Sequence, residues 1–459
     1  MKRQVMMALI ISGAVAATGC GDDDSGNTGG SGGTAGTGGS GGVGASGGSG
    51  GSGGDGGVGG DPGTPALEPL AMVPRFAVVS SDFSETSIAV LDDDFGIINE
   101  SWINSGTTFP GLVATLSGDV VLPTRQAGDG SFAIVDRLNT DVVSRFFVPS
   151  GNLDGQVRTQ GPNADYSSNP HDFVFVDETS AWATRYEPNL DPDALPENAG
   201  TDLLEIDPSD MTLTGTRIDL SEFNTTAMVM GMEVDVFARP DRGVVIGSTL
   251  VVGLDRLSGA FDAAGPGMVA VVDLDDNTAD SLLLGDGLAN CGKVAPVPGS
   301  PNNVMVSCVG FSQPFGDEAQ IRASSGVLLL EVDDDGATIE TTWRPSDDMD
   351  SALAVENMVP VGDARVAAVD FGDFGTGAPD VLYLMDIGTG EQEVAYESTG
   401  AFQIGGSAYD PDTAALYVPD SGSSLVIEFE VEALEAIEVG ELEIAPGIGF
   451  PPQAVYLLE

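Results

Sequence analysis

One phrase recurs along this chain and limits what it can become. An apolar strand-sized run ends in Asp, a tight turn follows, and then comes a strand in which polar residues alternate. The copies are SIAVLDDDFGIINESW, SFAIVDRLNTDVVSRFFV, DLLEIDPSDMTLTGTRIDL, MVAVVDLDDNTADSLLL, VLLLEVDDDGATIETTW, VLYLMDIGTGEQEVAYE and LVIEFEVEALEAIEVGE. Each follows a second apolar run: RFAVVSS, GDVVLPT, TSAWATR, STLVVGL, NNVMVSC, ARVAAVD and AALYVPD. Period-2 patterning with Gly, Asp, Pro and Asn at the breaks is the signature of an all-β chain. Long stretches of helical period are nearly absent, and even the best of them, EVEALEAI at 430–437, reads as strand-turn-strand.

A regular array of hairpin pairs must hide its strand edges, and radial repetition of four-stranded sheets does so. Seven units predict a seven-bladed β-propeller over residues 66–459. Its ends should join. The terminal GFPPQAVYLL reads as an innermost strand with nothing after it, and RFAVVSS as a second strand with nothing before it. The C-terminal strand is therefore expected to close the first blade. A six-bladed ring or two stacked domains are the alternatives.

Ahead of this region lies a stretch that cannot fold. From Gly21 to about Gly63 the chain is nearly all Gly, Ser, Thr and Asp. With so little apolar surface to bury, it cannot offset the entropy of ordering. About 40 residues of such coil span on the order of 35–40 Å. Before it, Lys2 and Arg3 precede an apolar run, Val5 to Ala17, that suits a secretory leader and is short for a bilayer span. Ala17-Thr18-Gly19-Cys20 resembles the lipobox of bacterial lipoproteins, with Ala17 where Leu is usual. The resemblance implies cleavage of residues 1–19, lipidation of Cys20 and a disordered tether over 20–65. Gly21, rather than Asp, after the cysteine points to the outer membrane, on either its periplasmic or its outward face.

The formal net charge of −55, from 71 acidic and 16 basic residues, argues against nucleic acid and anionic lipid surfaces as partners. Lys293 is the only lysine beyond the leader. Cys291 and Cys308 form the remaining cysteine pair, in NCGKVAPVPGSPNNVMVSCVG, where a strand, a turn and a strand would set them opposite each other. In an oxidising compartment they are expected to close as a disulfide. With a single histidine in the chain, zinc has too few ligands.

The repeats resemble the YVTN/NHL-type propeller units of secreted bacterial proteins, although the YVTN signature itself is absent. NPHDFVFVDETSAWATRY, LLEIDPSDMTLTGTRIDLSEF and FARPDRGVVIGSTLVVGLDRL resemble the Gly/Ser-tethered propeller lipoproteins of Gram-negative bacteria. Such motifs specify a blade and leave the ligand open.

Candidate chemistry is sparse. His171, followed by Asp172, could act as a base or line the channel, or simply cap a turn. No G-x-S-x-G elbow accompanies it. Asp92-Asp93-Asp94, Asp273 with Asp275 and Asp276, and Asp333-Asp334-Asp335 are acidic turns at equivalent places, which backbone geometry alone explains. Asp370, Asp373 and Asp380, in the loop DFGDFGTGAPD with Phe371 and Phe374, are a weak candidate for Ca²⁺. Inserted loops at 187–200 and 310–325 should share a face with it. Arg185, Arg239, Arg242, Arg256, Arg344 and Arg365 read as structural ion pairs, or as a ring around a channel that would attract anions. No catalytic residue can be assigned. The reading is a monomeric, lipid-anchored propeller that binds or scaffolds a protein or glycan. The alternative is a metal-assisted hydrolase or lyase, with Ca²⁺ held in the central channel, and a third is a spacer without a ligand.

Overall fold

The computed structural model describes residues 67–458 except 109–111, 149, 162–165, 314–316, 334–335, 346–356, 374–375, 445–446 and 448. The leader, Cys20 and the tether lie outside the described residues.

The described residues form seven four-stranded antiparallel sheets and one three-stranded sheet. In chain order the seven span 76–104, 120–158, 170–219, 240–283, 293–343, 359–397 and 408–443, and Pro452–Leu457 joins the first. Their cores show how they are arranged. One cluster packs the first sheet on the second (Ile88, Trp102, Phe132, Phe146), and the next packs the second on the third (Val135, Phe173, Ile206). The series continues around to a cluster joining the seventh sheet to the first through Phe76, Leu91, Tyr417 and Val455. Each sheet is buried on both faces by its neighbours, so the third strands read as near-continuous apolar runs such as VLLL at 327–330. The architecture is a β-propeller.

Closure follows the expected route. Pro452–Leu457 lies antiparallel to Phe76–Ser81, with Val455 opposite Val78 and Leu457 opposite Phe76, in the innermost place of the first sheet. The same strand also touches the seventh sheet's side of the ring, since Val455 N–H donates to Gly406 O at 2.8 Å and Gly406 N–H to Gln453 O at 2.9 Å. Arg75 adds ion pairs to Asp410 (2.8 Å) and Asp412 (2.7 Å). Phe76, Phe95 and Tyr417 cluster beside it, with centroids 4.3–5.3 Å apart.

Two features depart from the sequence pattern. In six units the repeated phrase supplies the third and fourth strands, but in the second it is displaced. There Val120–Val121, within GDVVLPT, is innermost, Ser131–Asp136 is second and Val142–Phe147 third. SFAIVD ends in Asp like a third strand, which is why the pattern misplaces it. The other is the three-stranded sheet: a hairpin of Thr225–Val229 and Met232–Phe237, inserted between the third and fourth sheets, pairs with Leu257–Ser258. As expected, 430–437 forms a hairpin, between Leu425–Glu432 and Glu435–Glu443. Two of the inserted loops meet the same segment: Leu190 packs near Gly259, and Gln313 Nε2 donates to Asp262 O at 3.0 Å. No helix among the described residues is long and apolar enough to cross a membrane.

Cys291 and Cys308 form a disulfide, with Cα atoms 3.9 Å apart and a sequence separation of 17. Closing a loop of that size is worth roughly 3 kcal/mol. Reduction should therefore lower the melting temperature, and non-reducing mass spectrometry should recover the Cys291–Cys308 peptide; two free thiols in protein purified without reductant would refute the pairing.

Candidate functional site: the central cavity

The innermost strands enclose a cavity of about 1530 Å³. Four of the chain's 16 basic residues line it: Arg125, Arg137, Arg242 and Lys293. Asp82 and Asp119 are the acidic residues on the lining. In a protein of net charge −55 this is a local reversal of sign at the surface of the cavity.

Arg137, Arg242 and Lys293 are each held in place. The Arg137 guanidinium donates to Asp119 Oδ1 from Nε at 2.9 Å and from Nη2 at 2.5 Å. Arg242 Nη1 donates to Leu122 O at 2.8 Å. Lys293 Nζ lies 2.9 Å from Asp241 Oδ2.

Behind the wall sits a buried network that the sequence did not reveal. His171, Asp241 and Lys293 stand at the starts of the innermost strands of three consecutive sheets, Pro170–Asp177, Pro240–Ile246 and Lys293–Pro296. His171 Nδ1 is 2.8 Å from Asp241 Oδ1. Although burial opposes ionisation of Asp241, Lys293, His171 and Arg242 hold its carboxyl well below the usual range. The histidine therefore donates from Nδ1–H, and its own pKa is pushed down to about 4 by burial, against the pull of Asp241. Nε2, the bare nitrogen, is buried without a hydrogen-bond partner. Tyr186 stacks on the imidazole at 4.0 Å and donates its hydroxyl to Asp255 Oδ2 at 2.8 Å. Gly292 fits between the two carboxylates: a Cβ there would lie 2.2 Å from Asp255 Oδ1 and 2.7 Å from Asp241 Oδ2. The disulfide at Cys291 thus anchors the backbone that presents Lys293.

Asp172 does a separate job. It accepts from Thr124 N–H (2.9 Å), Thr124 Oγ1 (2.6 Å) and Gly243 N–H (2.9 Å), tying the second, third and fourth sheets together. The His171-Asp172 pair is therefore split, and the histidine's carboxylate partner is Asp241.

The Ca²⁺ candidates do not assemble. Asp380 is spent on backbone, accepting from Gly372, Phe402, Gln403 and Ile404 N–H. Asp373 accepts from Thr376 Oγ1, and Asp370, pushed up to about 6 by burial, faces Arg322 at 3.8 Å. Phe371 stacks on Phe402, whereas Phe374 lies outside the described residues. Among the described residues no group of three or more His, Cys, Asp or Glu could hold a metal ion. The acidic turns are local: Asp92 and Asp273 accept from backbone N–H groups two to four residues on, and Asp334 and Asp335 lie outside the described residues.

Of the six arginines, only Arg242 reaches the cavity, so they form no ring. Arg185 is buried on Asp202 at 2.6 Å, and Arg239 on Glu187 at 2.8 Å. Arg256 donates to Phe223 O and Pro266 O, Arg344 to Asp286 O and Arg365 to Ala433 O.

Known structures share this fold. The proposed 6-phosphogluconolactonase of Bacteroides fragilis NCTC 9343 is 10% identical, with a TM-score of 0.52 over 87% of this chain and 100% of its own. That of Bacteroides uniformis ATCC 8492 is 11% identical, with a TM-score of 0.53 over 85% and 100%. The periplasmic gluconolactonase of Pseudomonas aeruginosa is 12% identical, with a TM-score of 0.50 over 84% and 99%. The likeness is one of fold. No family model matches the sequence, and no curated protein does.

Proposed function

We propose that this is an exported, lipid-tethered β-propeller whose central cavity binds a small anionic molecule. The observation that carries the reading is the placement of Arg125, Arg137, Arg242 and Lys293 on the lining of one cavity in a chain of net charge −55. Side chains fixed by Asp119, Leu122 O and Asp241 are preorganised donors for a carboxylate or phosphate, so little entropy is lost on binding. A loop-face site for a protein or glycan rests on the tether alone, whereas the cavity has a charge contrast of its own. Anchoring through Cys20 keeps its basis in the leader pattern.

A second reading, lactone hydrolysis in the same cavity, fits cations that would hold a sugar-acid product; His171, buried and off the cavity lining, takes no part in it. The proteins of like fold named above are called gluconolactonases, whose product is a sugar acid.

Calorimetry with 6-phosphogluconate and gluconate tests the binding reading. Binding should weaken with added salt and fall about tenfold, ~1.4 kcal/mol, in Arg125→Ala. Indifference to charge and salt would sink it. Failure to hydrolyse δ-gluconolactone would remove the second reading. In cells, Cys20→Ser should release the protein from the membrane fraction.

A further inference from the structure

On the basis of the anion-binding reading, we propose that the ligand of the central cavity is an aryl carboxylate, with its charge on the cations and its ring on a platform formed by Phe371 and Phe402. Both phenylalanines line the same cavity as Arg125, Arg137, Arg242 and Lys293. Their rings stack with centroids 5.3 Å apart and planes inclined by 28°. Neither ring is fully buried. Phe371 packs on the edge of the core between the sixth and seventh sheets, and Phe402 belongs to no apolar cluster of the described residues. Ligand pockets commonly pair an apolar wall with a few placed polar groups.

The fold sets platform and cations at one end of the ring. Lys293 begins the innermost strand of the fifth sheet, and Arg242 lies near the start of that of the fourth. In the sixth sheet the second strand, Arg365–Asp370, runs antiparallel to the innermost Val359–Gly362, with Val359 opposite Ala367. Phe371, just past its end, therefore lies beyond the start of the innermost strand. Phe402 precedes the innermost strand of the seventh sheet, Ala408–Asp410, and Ile404 bridges to Asp420, which ends that sheet's second strand. One buried carboxylate fixes the platform. Asp380 accepts from Gly372 N–H, beside Phe371, at 2.7 Å, and from the N–H groups of Phe402, Gln403 and Ile404 at 2.7, 2.6 and 2.9 Å. It holds Phe402 at a φ of 59°, a left-handed conformation that is rare and strained for a bulky residue and persists only where the surroundings impose it. A linear polyol acid such as gluconate offers the cations the same charge but no flat face to the platform. An aromatic ring gains an offset stack there.

The test is calorimetry on the intact chain with three probes: 2-naphthoate, gluconate, which has the charge without the ring, and 2-naphthamide, which has the ring without the charge. 2-Naphthoate should bind at least tenfold more tightly than either, and its affinity should fall as salt is added. Phe371→Leu keeps an apolar side chain without a ring; it should weaken 2-naphthoate about tenfold and leave gluconate unchanged. In the parent protein, with no variant needed, the naphthoate proton resonances should move upfield on binding, under the ring currents of the two phenylalanines. Gluconate binding as tightly as 2-naphthoate, 2-naphthoate affinity unchanged in Phe371→Leu, or no upfield shift would overturn the aryl assignment and leave the anion reading standing. 2-Naphthamide binding as tightly as 2-naphthoate, or no binding of any of the three, would overturn both.

Discussion

Removing Gly449–Glu459 is expected to leave a protein that does not hold its fold. The deletion takes the innermost strand from the first sheet, bares the ladder edge of Phe76–Ser81, and cuts the bonds from Val455 and Gln453 to Gly406. Val455 and Leu458, 2% and 7% exposed, contribute about 3–6 kcal/mol of burial between them. That approaches the whole stability of many domains, about 5–15 kcal/mol, before the lost hydrogen bonds are counted. Arg75 would keep Asp410 and Asp412, but with no strand beside it the seam between the first and seventh sheets opens at the cavity. Far-UV circular dichroism and light scattering should report a destabilised, aggregating product. An equal length removed from the Gly/Ser stretch should leave the melting curve unchanged. A C-terminal truncation that melts like the intact chain would mean that the ring does not depend on this strand.

Asp241→Ala should be the costliest single substitution at the candidate site. The carboxylate is buried and answers His171 and Lys293 at once, so its removal strands a buried cation, at about 3–5 kcal/mol. The same network sets a pH dependence. The unfolded chain protonates His171 near its ordinary value of 6.5, while the folded protein resists until about 4. Between those values the unfolded state binds more protons, so stability rises with pH across that window and is lost as pH falls through it, by up to about 3 kcal/mol. Asp136 and Asp370, both pushed up to about 6 by burial, act with the opposite sign: the folded protein keeps their protons where the unfolded chain has shed them, so their contribution grows as pH falls from about 6. The histidine's share is therefore read as the difference between the parent and His171→Gln in urea unfolding from pH 7 to pH 4. That difference should shrink toward acid; a flat difference would show that His171 titrates alike in both states.

Several features of the molecule were legible because they are written in local or periodic terms. The recurring Asp-turn phrase gives the all-β class and most of the strands, since alternation and turn chemistry act over a few residues. The unpartnered runs at the two ends predict closure, and Cys291 and Cys308, separated by one turn, predict their own bond. The displaced second unit marks the limit of that logic: SFAIVD has the pattern of a third strand, and only packing between neighbouring sheets puts it second. The cavity was not legible. His171 and Asp241 are 70 residues apart, and nothing in either neighbourhood marks them as partners. Asp172, the adjacent carboxylate, was the natural guess, and it turned out to fasten three sheets together. Radial stacking brings the starts of successive innermost strands to one axis, so a residue's place around the ring, rather than its sequence neighbours, decides what it faces. Composition fixed an acidic protein; tertiary structure alone decided that four of its few cations would line one cavity.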